Sequence, residues 1–118
     1  MERSSHSLAF LGDAVITFYV RSIMVGQEDE KNGVLHKRAS SYINAGNQAR
    51  VYDLLKLCEE EKDLANRAFN AKVNTKAKNF SLLEYRKATA LEALVGWWHL
   101  NQHLDKVTSV VLQLMHDN

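Results

Sequence analysis

The sequence predicts an all-α fold, and three observations carry that prediction. Apolar residues recur at spacings of three and four along most of the chain, as in Leu8, Leu11, Val15 and Phe18. There is no proline and there are only five glycines, which suits long helices and leaves little turn chemistry for a multi-strand fold. No run of alternating apolar and polar residues reads as a strand.

Six helices follow in order. Ser4 and Ser5 are candidate N-caps for the first, which continues to about Met24 and stops near Gly26. Gln27 to Gly33 is polar and reads as a loop. The second helix spans about Val34 to Ile43, and Asn44 and Gly46 mark a break. The third is expected to reach Cys58. Glu59, Glu60 and Glu61 suit the first turn of a fourth helix by opposing its dipole, and that helix ends near Asn70. Ala71 to Phe80 holds little apolar periodicity and reads as a loop. Ser81-Leu82-Leu83-Glu84 has the capping-box pattern and opens a fifth helix to about Leu100. Leu104 to Met115 makes a short sixth, with Asp105 in its first turn.

The chain has 118 residues, 46% of them hydrophobic, with 15 Lys/Arg against 14 Asp/Glu. One globular domain over residues 1–118 is the expectation, burying roughly two thirds of its unfolded surface. The near-neutral charge argues against a polycationic chromatin-type protein or an acidic tail. One cysteine, Cys58, excludes an internal disulfide framework and fits a reducing compartment. No signal-peptide pattern is visible, and no run of about 18 apolar residues is free of charge, so no membrane span is expected. There is no P-loop or dinucleotide fingerprint.

Two acids stand where acids are expensive. The first helix is apolar nearly all round, and Asp13 sits in its middle among Ala9, Phe10, Ile16 and Thr17. The fifth repeats the pattern around Glu92, with Ala88, Thr89, Val95 and Gly96 as neighbours. A helix apolar on all faces is normally buried, and an unpaired buried carboxylate costs several kcal/mol or becomes neutral. No basic residue on either helix is well placed to compensate, which makes a shared divalent metal attractive. A surface position, or pairing with a distant arginine, is the competing reading of each acid. Gly12 beside Asp13, and Gly96 one turn from Glu92, are costly inside helices and point to close approach of backbone or ligand.

These residues resemble a known family. Phe10-Leu11-Gly12-Asp13-Ala14 resembles the signature helix of the ribonuclease III family, and Glu92-Ala93-Leu94-Val95-Gly96 its second catalytic helix. Leu35-His36-Lys37-Arg38-Ala39, Arg67-Ala68-Phe69-Asn70-Ala71-Lys72 and Tyr85-Arg86-Lys87-Ala88-Thr89 are similar to the Mini-ribonuclease III group, which keeps the endonuclease domain without the double-stranded-RNA-binding domain. Longer members place two further carboxylates near the metals, where this chain has Ala9 and Thr89, as the Mini group does. Ala68 and Phe69 depart from the group's usual glycine and arginine.

The resemblance implies a magnesium-dependent endoribonuclease, with manganese a plausible substitute, that cuts double-stranded RNA to leave 5′-phosphate and 3′-hydroxyl ends. Ribosomal RNA precursor is the substrate implied, and the cytoplasm or an organelle of bacterial ancestry the setting. Asp13 and Glu92 are the catalytic and metal-binding candidates. A two-fold homodimer is implied, with Phe10 at the position that inserts into the partner. Phe18, Tyr19, Trp97 and Trp98 add large apolar groups that either join such an interface or fill the core. Arg67, Lys72, Lys76 and Lys78 form a run without acids, followed by Arg86 and Lys87, and read as an RNA-binding cluster or as a solvated lysine loop. The rival reading is a non-catalytic ribonuclease III-like RNA-binding or scaffold subunit of a ribonucleoprotein. His99 and His103, four apart, read as surface residues, and Cys58 as a small buried hydrophobe. His36 and Lys37 carry no assigned role.

Overall fold

The computed structural model describes residues 3–71 and 80–116. Six helices follow one another: α1 (Ser5–Gln27), α2 (Asn32–Tyr42), α3 (Ala45–Leu54), α4 (Glu59–Phe69), α5 (Leu82–Leu100) and α6 (Leu104–Met115). Among the described residues there is no strand. Local chemistry sets most of the helix starts. Ser4 caps α1 by accepting from the Ser7 N–H, and Asn44 caps α3 by accepting from the Asn47 N–H. Ser81 and Glu84 form the expected capping box, with reciprocal bonds of 3.1 and 3.0 Å.

Helix α3 corrects the sequence expectation. It ends at Leu54, not near Cys58, because Leu55 turns extended (ψ 141°) and Leu55–Cys58 is not helical. Cys58 is therefore exposed at the N-cap of α4, not a buried hydrophobe. The Cys58 N–H donates to Glu61 Oε1 at 2.9 Å.

Helix α5 is the axis of the molecule. It packs most extensively against α1, then α3 and α4, and more lightly against α6. Its Ala88, Ala90, Leu91, Ala93, Leu94, Val95, Gly96 and Trp98 are buried, so it is apolar all round for the reason inferred from its sequence. Helix α6 closes the core with Val107, Val110, Val111 and Leu114. Its last carbonyls accept from α3: Asn47 Nδ2 donates to Leu114 O (2.9 Å), and an Arg50 guanidinium nitrogen donates to Gln113 O (2.9 Å).

Helix α1 is apolar all round but buried on one face only. Leu8, Gly12, Val15, Ile16, Val20 and Met24 face the core, whereas Phe10 is 80% exposed and Phe18 68%. With a mean hydropathy of 1.6 over 18 residues it is long and apolar enough to cross a membrane by length and composition, a test that the core helix of a soluble protein also passes. In the fold its buried face is committed to α5.

Candidate functional site

Where α1 crosses α5 there is no layer of side chains between the two backbones. A Cβ on Gly12 would overlap the backbone carbonyl oxygen of Glu92, and one on Gly96 would overlap that of Leu8. The two glycines also face each other, since the Cβ on Gly96 would stand 3.2 Å from the Gly12 nitrogen. Any larger residue at either position must push main chain against main chain. The close approach inferred from the sequence is thus backbone to backbone, and it draws the next side chains together.

Those side chains are Asp13 and Glu92. Their carboxyl groups lie within hydrogen-bonding reach of each other. Burial, the negative charge of Asp13 and the hydrogen bond between the two groups push the Glu92 carboxyl up to about 8 from its ordinary 4.5. The Gln48 amide acts weakly the other way. The premise that both acids are buried needs correction: Glu92 is half-buried, but Asp13 is exposed at the rim. This asymmetry follows from α1 having an open face. The pair therefore has a protein side and a solvent side.

Among the described residues no group of three or more His, Cys, Asp or Glu could hold a metal ion. The two carboxylates are the donor set. Thr89, one turn before Glu92, turns its hydroxyl back to Tyr85 O (3.0 Å). Two carboxyls that keep a proton between them, half-open to water, fit a hard divalent cation that retains several waters of its own. A dication there removes the repulsion that holds Glu92 protonated.

The basic residues are dispersed in what they touch. Lys87 pairs with Asp53 of α3 at 2.9 Å, so its charge is met within the molecule. Arg86 donates to Phe69 O (3.2 Å), and its guanidinium lies 5.8 Å from the centre of the Phe69 ring, clasping the end of α4. Arg67 is exposed and lines a wide cleft with Arg3, Glu60, Asp63 and Trp97, away from the acid pair. Lys72, Lys76 and Lys78 lie outside the described residues.

The aromatic candidates divide. Phe10 and Phe18 are open to solvent, Tyr19 meets Phe18 edge-on at 6.0 Å, and Trp98 is buried. The Trp97 and His103 rings are tilted 37° to each other with their centres 6.1 Å apart. His99 is half-buried, and its Nδ1 has no hydrogen-bond partner, so it is not the surface residue expected.

Two polar residues were missed from sequence. Glu61 is 3% exposed and accepts from Trp98 Nε1 and Lys106 Nζ, both at 2.7 Å. A buried tryptophan needs a partner for its N–H, but sequence does not say which acid supplies it. Gln48 is 5% exposed beside Glu92, and nothing in the sequence marked it.

Comparison with known proteins agrees with this geometry. The Ribonuclease III domain profile matches residues 6–103, which contain both acids and both crossing glycines. A Mini-ribonuclease 3 of Thermoanaerobacter sp. is 40% identical over 108 residues, covering 88% of this chain and 75% of that protein. One from Brevibacillus brevis is also 40% identical over 108 residues, covering 90% and 81%. One from Staphylococcus aureus is 34% identical over 113 residues, covering 92% and 84%. A protein of Fusobacterium nucleatum solved by X-ray crystallography superposes with a TM-score of 0.85 at 31% identity, over 93% of this chain and 86% of that one. With its helical fold, its glycine-paired crossing and these relatives, the chain belongs to the ribonuclease III family, in the Mini-ribonuclease 3 group of endoribonucleases.

Proposed function

We propose that the protein cleaves double-stranded RNA at the Asp13–Glu92 pair, using magnesium, with manganese able to substitute. The observation that carries this reading is the carboxyl pair itself, set at the α1–α5 crossing, where burial and the Asp13 charge push Glu92 up to about 8. A bound divalent metal supplies an activated water and neutralises charge on the phosphodiester, leaving 5′-phosphate and 3′-hydroxyl ends. Glu92 anchors that ion from the buried side. Asp13 holds it from the rim, where the backbone of a duplex can reach. The α1–α5 crossing brings the two backbones together, so the two acids are already neighbours before substrate arrives.

Each chain carries one such pair, and a duplex has two strands. A two-fold homodimer through the open face of α1 meets that need, with Phe10 inserted into the partner. The support is the exposure of Phe10, Phe18 and Val25 on one helix, more apolar surface than a helix face leaves bare without cause. Sedimentation that gives a monomer at micromolar concentration defeats it. Duplex contact falls to Arg67 and to Lys72, Lys76 and Lys78, whereas Arg86 and Lys87 act by holding α4 and α3 in place. Ribosomal RNA precursor is the substrate class, and the cytoplasm the setting, that go with the Mini group.

The deciding experiment is duplex RNA with magnesium. The wild type is expected to cut. Asp13→Asn and Glu92→Gln are expected to lose at least about a hundredfold in rate while keeping the helical circular dichroism of the wild type. Normal cutting by both variants removes the site assignment. A wild type that binds duplex RNA yet never cuts it supports a non-catalytic scaffold.

A further inference from the structure

Gln48 and Glu61 are the two polar side chains buried in the core among the described residues, and they are treated differently. Glu61 is bonded on both oxygens. Gln48 Nε2 is buried and makes no aligned hydrogen bond. An amide N–H left unpaired in a core is costly, and an alanine or leucine there would avoid that cost. The ionisable group beside it is the Glu92 carboxyl, which the Gln48 side chain favours in its charged form.

Helix α3 is held over α5 so that Gln48 stays in this position. Asp53 is tied to Lys87 at 2.9 Å. Near the other end, a Cβ on Gly46 would stand 3.1 Å from Glu84 Oε2 and from the Phe80 ring, so α3 sits tightly there too. Gln48 and its neighbour Ala49 are both buried between these points.

We propose that Gln48 is a positioning residue for the acid pair, its Nε2–H donating to one oxygen of the Glu92 carboxylate and turning the other toward Asp13 and the cation. This rests on the reading of Asp13 and Glu92 as the metal site. The chemistry favours an amide over an acid at position 48. Two carboxylates balance a dication, whereas a third acid would leave surplus negative charge in a half-buried place. An amide adds a donor and no charge.

The test uses Gln48→Met, which keeps the length and suits apolar surroundings. Mn2+ is titrated into wild type and variant by calorimetry, without RNA. The variant is expected to bind about tenfold more weakly, in line with loss of a partner that orients a ligand. Its melting temperature in chelator is expected to equal or exceed that of the wild type. The Gln48 side-chain amide protons of the wild type are expected to shift when Mg2+ is added, as read by nuclear magnetic resonance, and this measurement needs no variant. Mn2+ affinity within twofold of wild type, or amide resonances that Mg2+ leaves unmoved, overturns the proposal while leaving the metal site standing. A wild type that binds no Mn2+ overturns both.

Discussion

Two glutamates in this small protein, Glu61 buried and Glu92 half-buried, are pushed in opposite directions. Burial alone would raise Glu61, but hydrogen bonds from Lys106, the Cys58 backbone and Trp98 outweigh it and hold the carboxyl near 2. Glu92 has burial and the Asp13 charge acting together, opposed only by Gln48, and stands near 8. The same residue type, fully buried at Glu61 and half-buried at Glu92, is a finished structural part in one place and is left unsatisfied in the other. The difference lies in the donors around each: three for Glu61, and for Glu92 the single amide of Gln48. An acid that the fold itself has neutralised holds helices together. An acid left protonated beside another acid is where we propose that a cation binds.

The contrast can be broken by variants of either glutamate. The largest effect on stability is expected for Glu61→Gln, which gives Trp98, Lys106 and Cys58 one acceptor oxygen where they had two. A loss of about 3 kcal/mol in chemical denaturation is the expected outcome. Acid titration of the wild type reads the same site. Because the folded carboxyl titrates near 2 and the unfolded one near 4.5, its stabilisation is complete above 4.5 and disappears as pH falls toward 2. In Glu61→Gln that part of the acid transition is absent.

Glu92→Gln is expected to act in the reverse sense. The folded carboxyl keeps a proton that the unfolded chain releases above about 4.5, so stability falls as pH rises from 4.5 to about 8. In chelator at pH 8 the variant is expected to be more stable than wild type by about 2 kcal/mol, a figure reduced for the partial exposure of the group. Added Mg2+ then raises the melting temperature of the wild type and not that of the variant. Equal melting temperatures in chelator would mean that the two carboxyls do not repel. The smallest effect belongs to Lys106→Met, at about 1 kcal/mol, because its ammonium is half in water and Glu61 keeps two other donors.

The sequence made some of this legible and hid the rest for physical reasons. Caps are short-range chemistry, so Ser4, Asn44 and the Ser81–Glu84 box could be read or nearly read from the residues themselves. Gly12 and Gly96 were readable because glycine inside a helix is costly and needs a cause. Asp13 and Glu92 stood out against apolar neighbours. The non-helical stretch Leu55–Cys58 was not legible, since its leucines fit a helix equally well, and Leu55 and Leu57 pack against the core without forming one. Nor could periodicity say which side of α1 stays open, because Leu8 and Phe10 are equally apolar and only partners distinguish them. Lys87 and Arg86 read as free cations for the same reason: Asp53 and Phe69 are distant in sequence and near only in space. Gln48 gave no signal, because its meaning depends wholly on what lies opposite.

The main-chain contact at Gly12 and Gly96 bears on how such a protein can vary. Where side chains set the gap between two helices, every exchange of leucine for valine alters it. Here peptide groups meet directly, so the distance is inherited from geometry common to all helices. Core residues elsewhere are free to drift over generations without detuning the chemistry, provided two hydrogen atoms are never replaced by carbon.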